Sequence, residues 1–391
     1  MANILDYIDW RGDITLEQSP FNDIDNLIFT QLCFIDFDSI VPSFDESSSV
    51  TIAEAADSFF ASNIDTDINM GVLVPNFIVS LFKKMSECQR FRDMRLTKYI
   101  NKIDYDKQQQ FAALTIILGD GSNYIAFRGT DDTIIGWKED FNMGFLTPVP
   151  SQLTAVKYIN GIASELEGSI MIGGHSKGGN LAVYSAVYCN DEVKKRITHV
   201  FNNDGPGFTM EIMSIDEYVT VVDRIKTIIP ESSVVGMLLE HEEKYTIVKS
   251  AQSGILQHDS FSWQVLGTNF IIADGRSAYS EITDIALRTW VNGMDKDERV
   301  LFVDTLFDLL ECTDATTLTG LNSDKLKTAS SLLKKYKSMN DEQRSGMNKI
   351  LISLFRDGAA AVIKVLNANY IKKSSDKDKH HIKKVLKQKT V

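Results

Sequence analysis

The sequence has no run approaching the roughly 18 apolar residues that a membrane-crossing helix requires, so no such span is expected. Its first residues, MANILDYIDWRGD, have neither a basic region nor an apolar stretch. A secretory signal is therefore not expected, and a cytoplasmic protein is. A basic surplus is also missing. Lys and Arg number 41 against 53 Asp and Glu, a net charge of −12. That argues against a general nucleic-acid partner, because neutralising phosphates needs a basic surface. Cysteine is scarce: Cys33, Cys88, Cys189 and Cys312 stand far apart and form no CxxC pair. They read as reduced thiols, with Cys189 and Cys312 in apolar helical contexts that predict burial. No metal site and no cofactor are expected. His380 and His381 lie in a Lys-rich stretch that reads as a solvated tail. No internal repeat is visible.

With 391 residues the chain is long enough for one large domain, alone or with a smaller one. Ile24, Leu27, Ile28 and Leu32 have helical spacing, with Asn22 or Asp23 as a cap. Residues 45–49 read as a loop and 76–85 as an apolar helix. Residues 111–118 and 124–127 read as strands joined by a Gly-rich turn, a hairpin. Residues 151–168 fit an amphipathic helix and 169–173 a short buried strand. A tight turn and an apolar helix over 180–189 follow. Residues 197–202 and 224–229 are again strands. This alternation predicts an α/β fold: a mainly parallel sheet with helices on both faces. From about residue 276 helical patterns dominate, over 281–292, 296–311, 323–337 and 341–369. The expected division is 1–275 and a C-terminal helical region, 276–391. From Lys372 the last twenty residues hold eight lysines, two aspartates and two histidines. A frayed or disordered tail is expected there, with a weak anionic-membrane contact as the sharper reading.

The chemistry centres on Gly174-His175-Ser176-Lys177-Gly178, a G-x-S-x-G pattern between a predicted strand and a predicted helix. On such a turn the serine is pushed out above the sheet. The residues two before and two after it pass so closely that a Cβ would clash, hence Gly174 and Gly178. No G-x-x-x-x-G-K-[ST] pattern covers the stretch, so a phosphate loop is not indicated. Ser176 needs a general base, normally a histidine. In the α/β-hydrolase order the acid and then the histidine follow the serine. His175 lies inside the turn and is expected to point elsewhere. His199 opens a strand, and His241 lies among Glu240, Glu242 and Glu243, as on an exposed helix end. His258, in a loop-like stretch flanked by aromatics, is the preferred base. The acid should follow a strand between Ser176 and His258. Glu231 and Asp204 both do, and both are retained, with Glu231 slightly preferred. Asp204 also fits a simple turn role in Asp-Gly-Pro-Gly. Asp259, beside the histidine, is a poor candidate. The oxyanion donors are expected to be the N–H groups of Lys177 and Thr130, with the Thr130 hydroxyl as a possible third. Arg128 is expected to form a structural ion pair with Asp140. The apolar run Val234 to Leu239 suits an acyl pocket, a lid or core packing equally.

The segment Phe127 to Thr130, Trp137 to Asp140 and Gly173 to Ala182 together resemble the pattern of class 3 (fungal-type) lipases. More closely, the chain resembles the bacterial lipase-like family called Mbeg1-like. Asp6 to Asp13, Asp204 to Gly207 and Gln257 to Trp263 fit it, and the similarity covers roughly residues 3–270. The resemblance implies an α/β-hydrolase fold and a lipase- or esterase-like reaction on a small-molecule or lipid ester. Carried over, it makes Ser176 the nucleophile, His258 the base, and Thr130 and Lys177 the oxyanion donors. Class 3 lipases place an Asp after the strand that precedes the histidine. Here that stretch, residues 229–236, has none, which leaves Glu231, Asp204 or an incomplete triad. Two function classes follow: a serine ester hydrolase, or a catalytically impaired hydrolase fold that binds a ligand or partner. Acyl transfer to an acceptor other than water would use the same residues as hydrolysis.

Overall fold

The computed structural model describes residues 1–365 apart from 64–69, 72–73, 145–146, 314, 324, 342 and 364. Eight strands form one sheet whose order across the sheet is their order in the chain. They are β1 (Val50–Thr51), β2 (Arg95–Asp104), β3 (Gln109–Ile117), β4 (Asn123–Phe127), β5 (Ile170–His175), β6 (Ile197–Asn203), β7 (Ile225–Pro230) and β8 (Tyr245–Val248). The β1–β4 pairs are antiparallel and the β4–β8 pairs parallel. The hairpin predicted from residues 111–127 is β3–β4, closed by Gly121 at φ 80°.

Side chains on a strand alternate between its two faces, and here both faces are buried. Tyr124 and Ala126 of β4 enter one core, with Leu114, Ile116, Met171 and Phe201. Ile125 and Phe127 enter the other, with Phe111, Ala113, Ile170, Ile172 and Val200. The first core is closed by the N-terminal helices α1 (Ile4–Arg11), α2 (Asp23–Leu32), α3 (Ile52–Ser62) and α4 (Phe77–Glu87). The second is closed chiefly by α6 (Pro150–Ile162) and α7 (Lys177–Tyr188), which follow α5 (Ile134–Met143). Asn3, Asn22 and Thr51 start α1, α2 and α3 with reciprocal capping boxes. The fold is thus an α/β-hydrolase-like, mainly parallel sheet covered on both faces, followed by C-terminal helices.

Strand β2 has no counterpart in the sequence reading. Its polar run RLTKYINKID has no clean alternation, and the ladder slips between Thr97 and Ile100 where Lys98 adopts φ 57°. Of the two cysteines expected to be buried, Cys189 is and Cys312 is half-buried. All four thiols are free.

The C-terminal helices Ala278–Asn292, Lys296–Glu311, Leu318–Ser323 and Lys325–Ser338 are followed by helix over 343–363. Trp290, Met294, Phe302, Val303, Phe307 and Ile350 build a third apolar cluster with Ile134 of α5, and Trp137 and Phe141 pack against it. The Trp290 indole donates to the Ile350 carbonyl at 3.0 Å, and Lys138 of α5 faces Asp304 at 3.6 Å. The C-terminal region is therefore seated on the helix that follows β4. The expected end of its last helix at Asn369, and the tail from Lys372, lie outside the described residues.

Candidate active site

Ser176 joins β5 to α7 at φ 59° and ψ −131°. A residue with a Cβ adopts this conformation only when its surroundings enforce it. A Cβ on Gly174 would lie 2.0 Å from the Gly178 carbonyl carbon, and one on Gly178 would lie 2.1 Å from the Phe127 carbonyl oxygen. Both positions therefore require glycine. The turn is also pinned by polar groups: the Ser176 N–H donates to the Asn203 carbonyl at 2.9 Å, and the Asn203 amide donates to the Gly174 carbonyl at 3.1 Å. Asn26 of α2 donates to the Asn203 carboxamide at 3.0 Å and accepts from the Tyr124 hydroxyl at 2.6 Å. The sequence reading did not single out Asn26 or Asn203, because no local pattern pairs residues 177 positions apart.

His258 and Asp204 meet. His258 Nδ1 lies 2.7 Å from Asp204 Oδ2, and the carboxylate is fully buried. Asp204 follows β6, has φ 51° and donates its N–H to the Ile228 carbonyl at 2.8 Å. Its Oδ1 accepts from the Ser233 hydroxyl. The slight preference for Glu231 is thereby corrected. The Glu231 backbone bridges Val248 and Ser277, while its carboxylate makes no hydrogen bond among the described residues. The turn chemistry of Asp-Gly-Pro-Gly and the contact with His258 belong to one residue. The run Val234 to Leu239 is half-buried behind this acid; a Cβ on Gly236 would lie 2.3 Å from Asp204 Oδ1. Ser176 Oγ itself makes no hydrogen bond among the described residues. Contacts of this type commonly close only in the substrate complex.

The His258 loop is fastened from below. Gln257 accepts from the Ser232 N–H at 2.7 Å, and the Trp263 indole donates to the Gln257 carbonyl at 2.9 Å. Asp259 accepts from the Phe261 N–H at 3.0 Å and does not reach the His258 imidazole. His175 does not point away from the site. Its Nε2 lies 2.9 Å from the His258 carbonyl, and the two rings are 4.7 Å apart. A carbonyl can only accept, so His175 Nε2 carries the hydrogen. Burial, then the neighbouring His258, lowers the His175 pKa well below the usual imidazole value, which keeps the ring neutral. His241 is likewise corrected. It is not on an exposed helix end: its buried ring places Nδ1 2.9 Å from Glu243, which also accepts from Thr227 and Tyr218.

The loop after β4 flanks Ser176 on the other side. A Cβ on Gly129 would lie 3.3 Å from the Ser176 Cβ. The N–H groups of Thr130 and Lys177 make no hydrogen bond among the described residues. Lys177 opens α7, where a helix leaves its first N–H groups unpaired. The Thr130 hydroxyl is not free to serve as a third donor, because it donates to Asp140 of α5. Asp140 therefore faces Thr130 and not Arg128. Arg128 pairs with Asp131 at 3.1 Å and with Asn101 at 2.9 Å. Burial pushes the Asp140 carboxyl up to about 6 against the opposing pull of Lys177 and Thr130. The Lys177 ammonium turns into the interior. It donates to the Gln110 carbonyl at 2.8 Å and its carboxamide at 2.6 Å, and pairs with Glu139 at 3.2 Å.

The Mbeg1-like family profile matches residues 85–308. No curated protein sequence matches. Among solved structures, the Rhizomucor miehei lipase–propeptide complex is similar at 14% identity over 56% of this chain and 78% of its own, with a TM-score of 0.35. M37 lipase is similar at 14% identity over 68% and 92%, with a TM-score of 0.35. The lipase from Rhizopus microsporus var. chinensis is similar at 12% identity over 58% and 93%, with a TM-score of 0.33.

Proposed function

We propose, from the premise that this chain belongs to the Mbeg1-like family, that it is a serine hydrolase cleaving a carboxylic, lipid-like ester through an acyl-enzyme on Ser176. One observation carries the reading: a buried carboxylate, Asp204, holds His258 Nδ1 at 2.7 Å, and the His258 ring lies 4.7 Å from that of His175, the chain neighbour of a serine on a strained strand-to-helix turn. With Nδ1 on Asp204, the His258 Nε2 is the nitrogen that takes the proton from Ser176 Oγ as Oγ attacks the ester carbonyl. The negative charge that forms on the carbonyl oxygen is met by the N–H groups of Thr130 and Lys177. The tetrahedral centre collapses, its C–O bond breaks, and Nε2 returns the proton to the leaving alcohol. Water, deprotonated by the same nitrogen, then attacks the acyl carbonyl, the bond from that carbon to Ser176 Oγ breaks, Nε2 returns the proton to Oγ, and the acid leaves.

The test is a turnover assay with short- and long-chain p-nitrophenyl esters, joined to mass spectrometry of the quenched protein. An acyl adduct on Ser176 and nitrophenolate release, both lost in Ser176→Ala, are expected. A folded protein that binds these esters without adduct or release would instead be the impaired, ligand-binding form of the fold. Capture of the acyl group by an added alcohol in preference to water would identify acyl transfer.

A further inference from the structure

We infer that the helix over residues 343–363 lies on an anionic lipid surface, with an exposed apolar stripe in the acyl boundary and flanking cations at the headgroups. This inference does not depend on the reaction assigned to Ser176.

The helix has two apolar faces. One is consumed by packing: Met347, Ile350 and Ala361 are buried. A second face carries Leu351, Ile352, Phe355, Ala359, Val362 and Ile363, all exposed. At 100° per residue these six fall within one arc of about 120°. The exposure is large where the side chains are large: 67% for Ile352, 78% for Phe355 and 61% for Ile363. Lys349, paired with Glu298 at 2.6 Å, and Arg356, paired with Asp357 at 2.9 Å, border the stripe on one side. No helix among the described residues is long and apolar enough to cross a membrane, so this face would lie on a bilayer and not span it.

Charge identifies the occupant. Residues 325–391 hold 17 Lys and Arg against 5 Asp and Glu, whereas residues 1–324 hold 24 against 48. An acidic protein thus carries one strongly basic end, and the apolar stripe is on that end. A second copy of this chain would bring two basic ends together, which like-charge repulsion opposes. Nucleic acid would use the cations but gives no role to exposed Phe355 and Ile352. An anionic lipid surface uses both features, because apolar insertion and basic attraction add there.

The test is co-sedimentation of the full-length protein with vesicles of phosphatidylcholine alone or mixed with phosphatidylglycerol. Binding to the mixed vesicles is expected to be at least about tenfold stronger and to weaken in high salt. Ile352→Ser with Phe355→Ser is expected to reduce it about tenfold. Both residues are exposed, so circular dichroism and Ser176 chemistry should be unchanged. Equal binding to neutral vesicles, no binding, or binding that the serine pair leaves unchanged would overturn the assignment. So would a dimer in sedimentation velocity that the serine pair dissolves, or preferential capture of the protein by duplex DNA. Ser176→Ala should bind vesicles as the unaltered chain does, which separates failure here from failure of the hydrolase reading.

Discussion

Ser176 keeps a backbone conformation that costs a non-glycine residue about 1–3 kcal/mol, and the structure holds it there with close-packed glycines and a buried asparagine pair. Such strain is local, which is why the turn was legible from five residues while its support was not. His258 was reachable by chain order and elimination. Its acid was not, because the 2.7 Å contact with Asp204 joins residues 54 apart and Asp-Gly-Pro-Gly also reads as a plain turn. A second imidazole–carboxylate pair offers a prediction of its own. Burial alone would raise the Glu243 carboxyl, but the His241 hydrogen bond and charge, with the Thr227 hydroxyl, outweigh it and hold Glu243 at about 2. A depressed carboxyl contributes stability that is complete above its unfolded value near 4.5 and is lost as pH falls toward 2. Urea titrations are therefore expected to show stability falling more steeply below pH 4.5 in the unaltered protein than in Glu243→Gln. Equal slopes would remove the pair from the acid response.

At the scale of elements, α5 and α7 are tied by a buried charge pair. Lys177 Nζ and Glu139 are almost wholly enclosed, and Glu139 also accepts from the Ser151 N–H at 2.8 Å and the Gln110 N–H at 3.0 Å. Removing one partner leaves an uncompensated buried charge, which costs about 3–5 kcal/mol. Lys177→Met is thus expected to lose stability on that order by urea denaturation. Lys177→Met with Glu139→Gln should recover part of the loss. A single variant as stable as the parent would mean that the pair contributes nothing. Strands β3 to β7 and helices α2, α4, α6 and α7 were legible because each is a short apolar run between turns. Strand β2 was not, because its register slips at Lys98 and its polar residues mask the period.

For the whole molecule, the C-terminal helices bear on the site through α5. Phe307 is fully buried against Phe141, and α5 also carries Asp140, which holds the Thr130 hydroxyl. Truncating a core phenylalanine costs about 3–5 kcal/mol. Phe307→Ala is accordingly expected to lower the unfolding temperature and also to slow ester turnover under conditions where the protein stays folded. Lower stability with unchanged turnover would separate the C-terminal region from the site. The boundary near residue 276 was legible as a change of pattern, but its seat on α5 was not, since it depends on contacts between Ile134 and residues more than 150 positions later.

The central claim is that Ser176, His258 and Asp204 act as one unit, and fluorophosphonate labelling of the full-length protein tests it most directly, with the adduct located by mass spectrometry. Labelling at Ser176 is expected, absent in Ser176→Ala and slowed about 10³-fold or more in His258→Ala and Asp204→Asn. Glu231→Ala should label within about twofold of the parent, since its carboxylate touches neither residue. Undiminished labelling in Asp204→Asn, or loss of labelling in Glu231→Ala, would contradict the account.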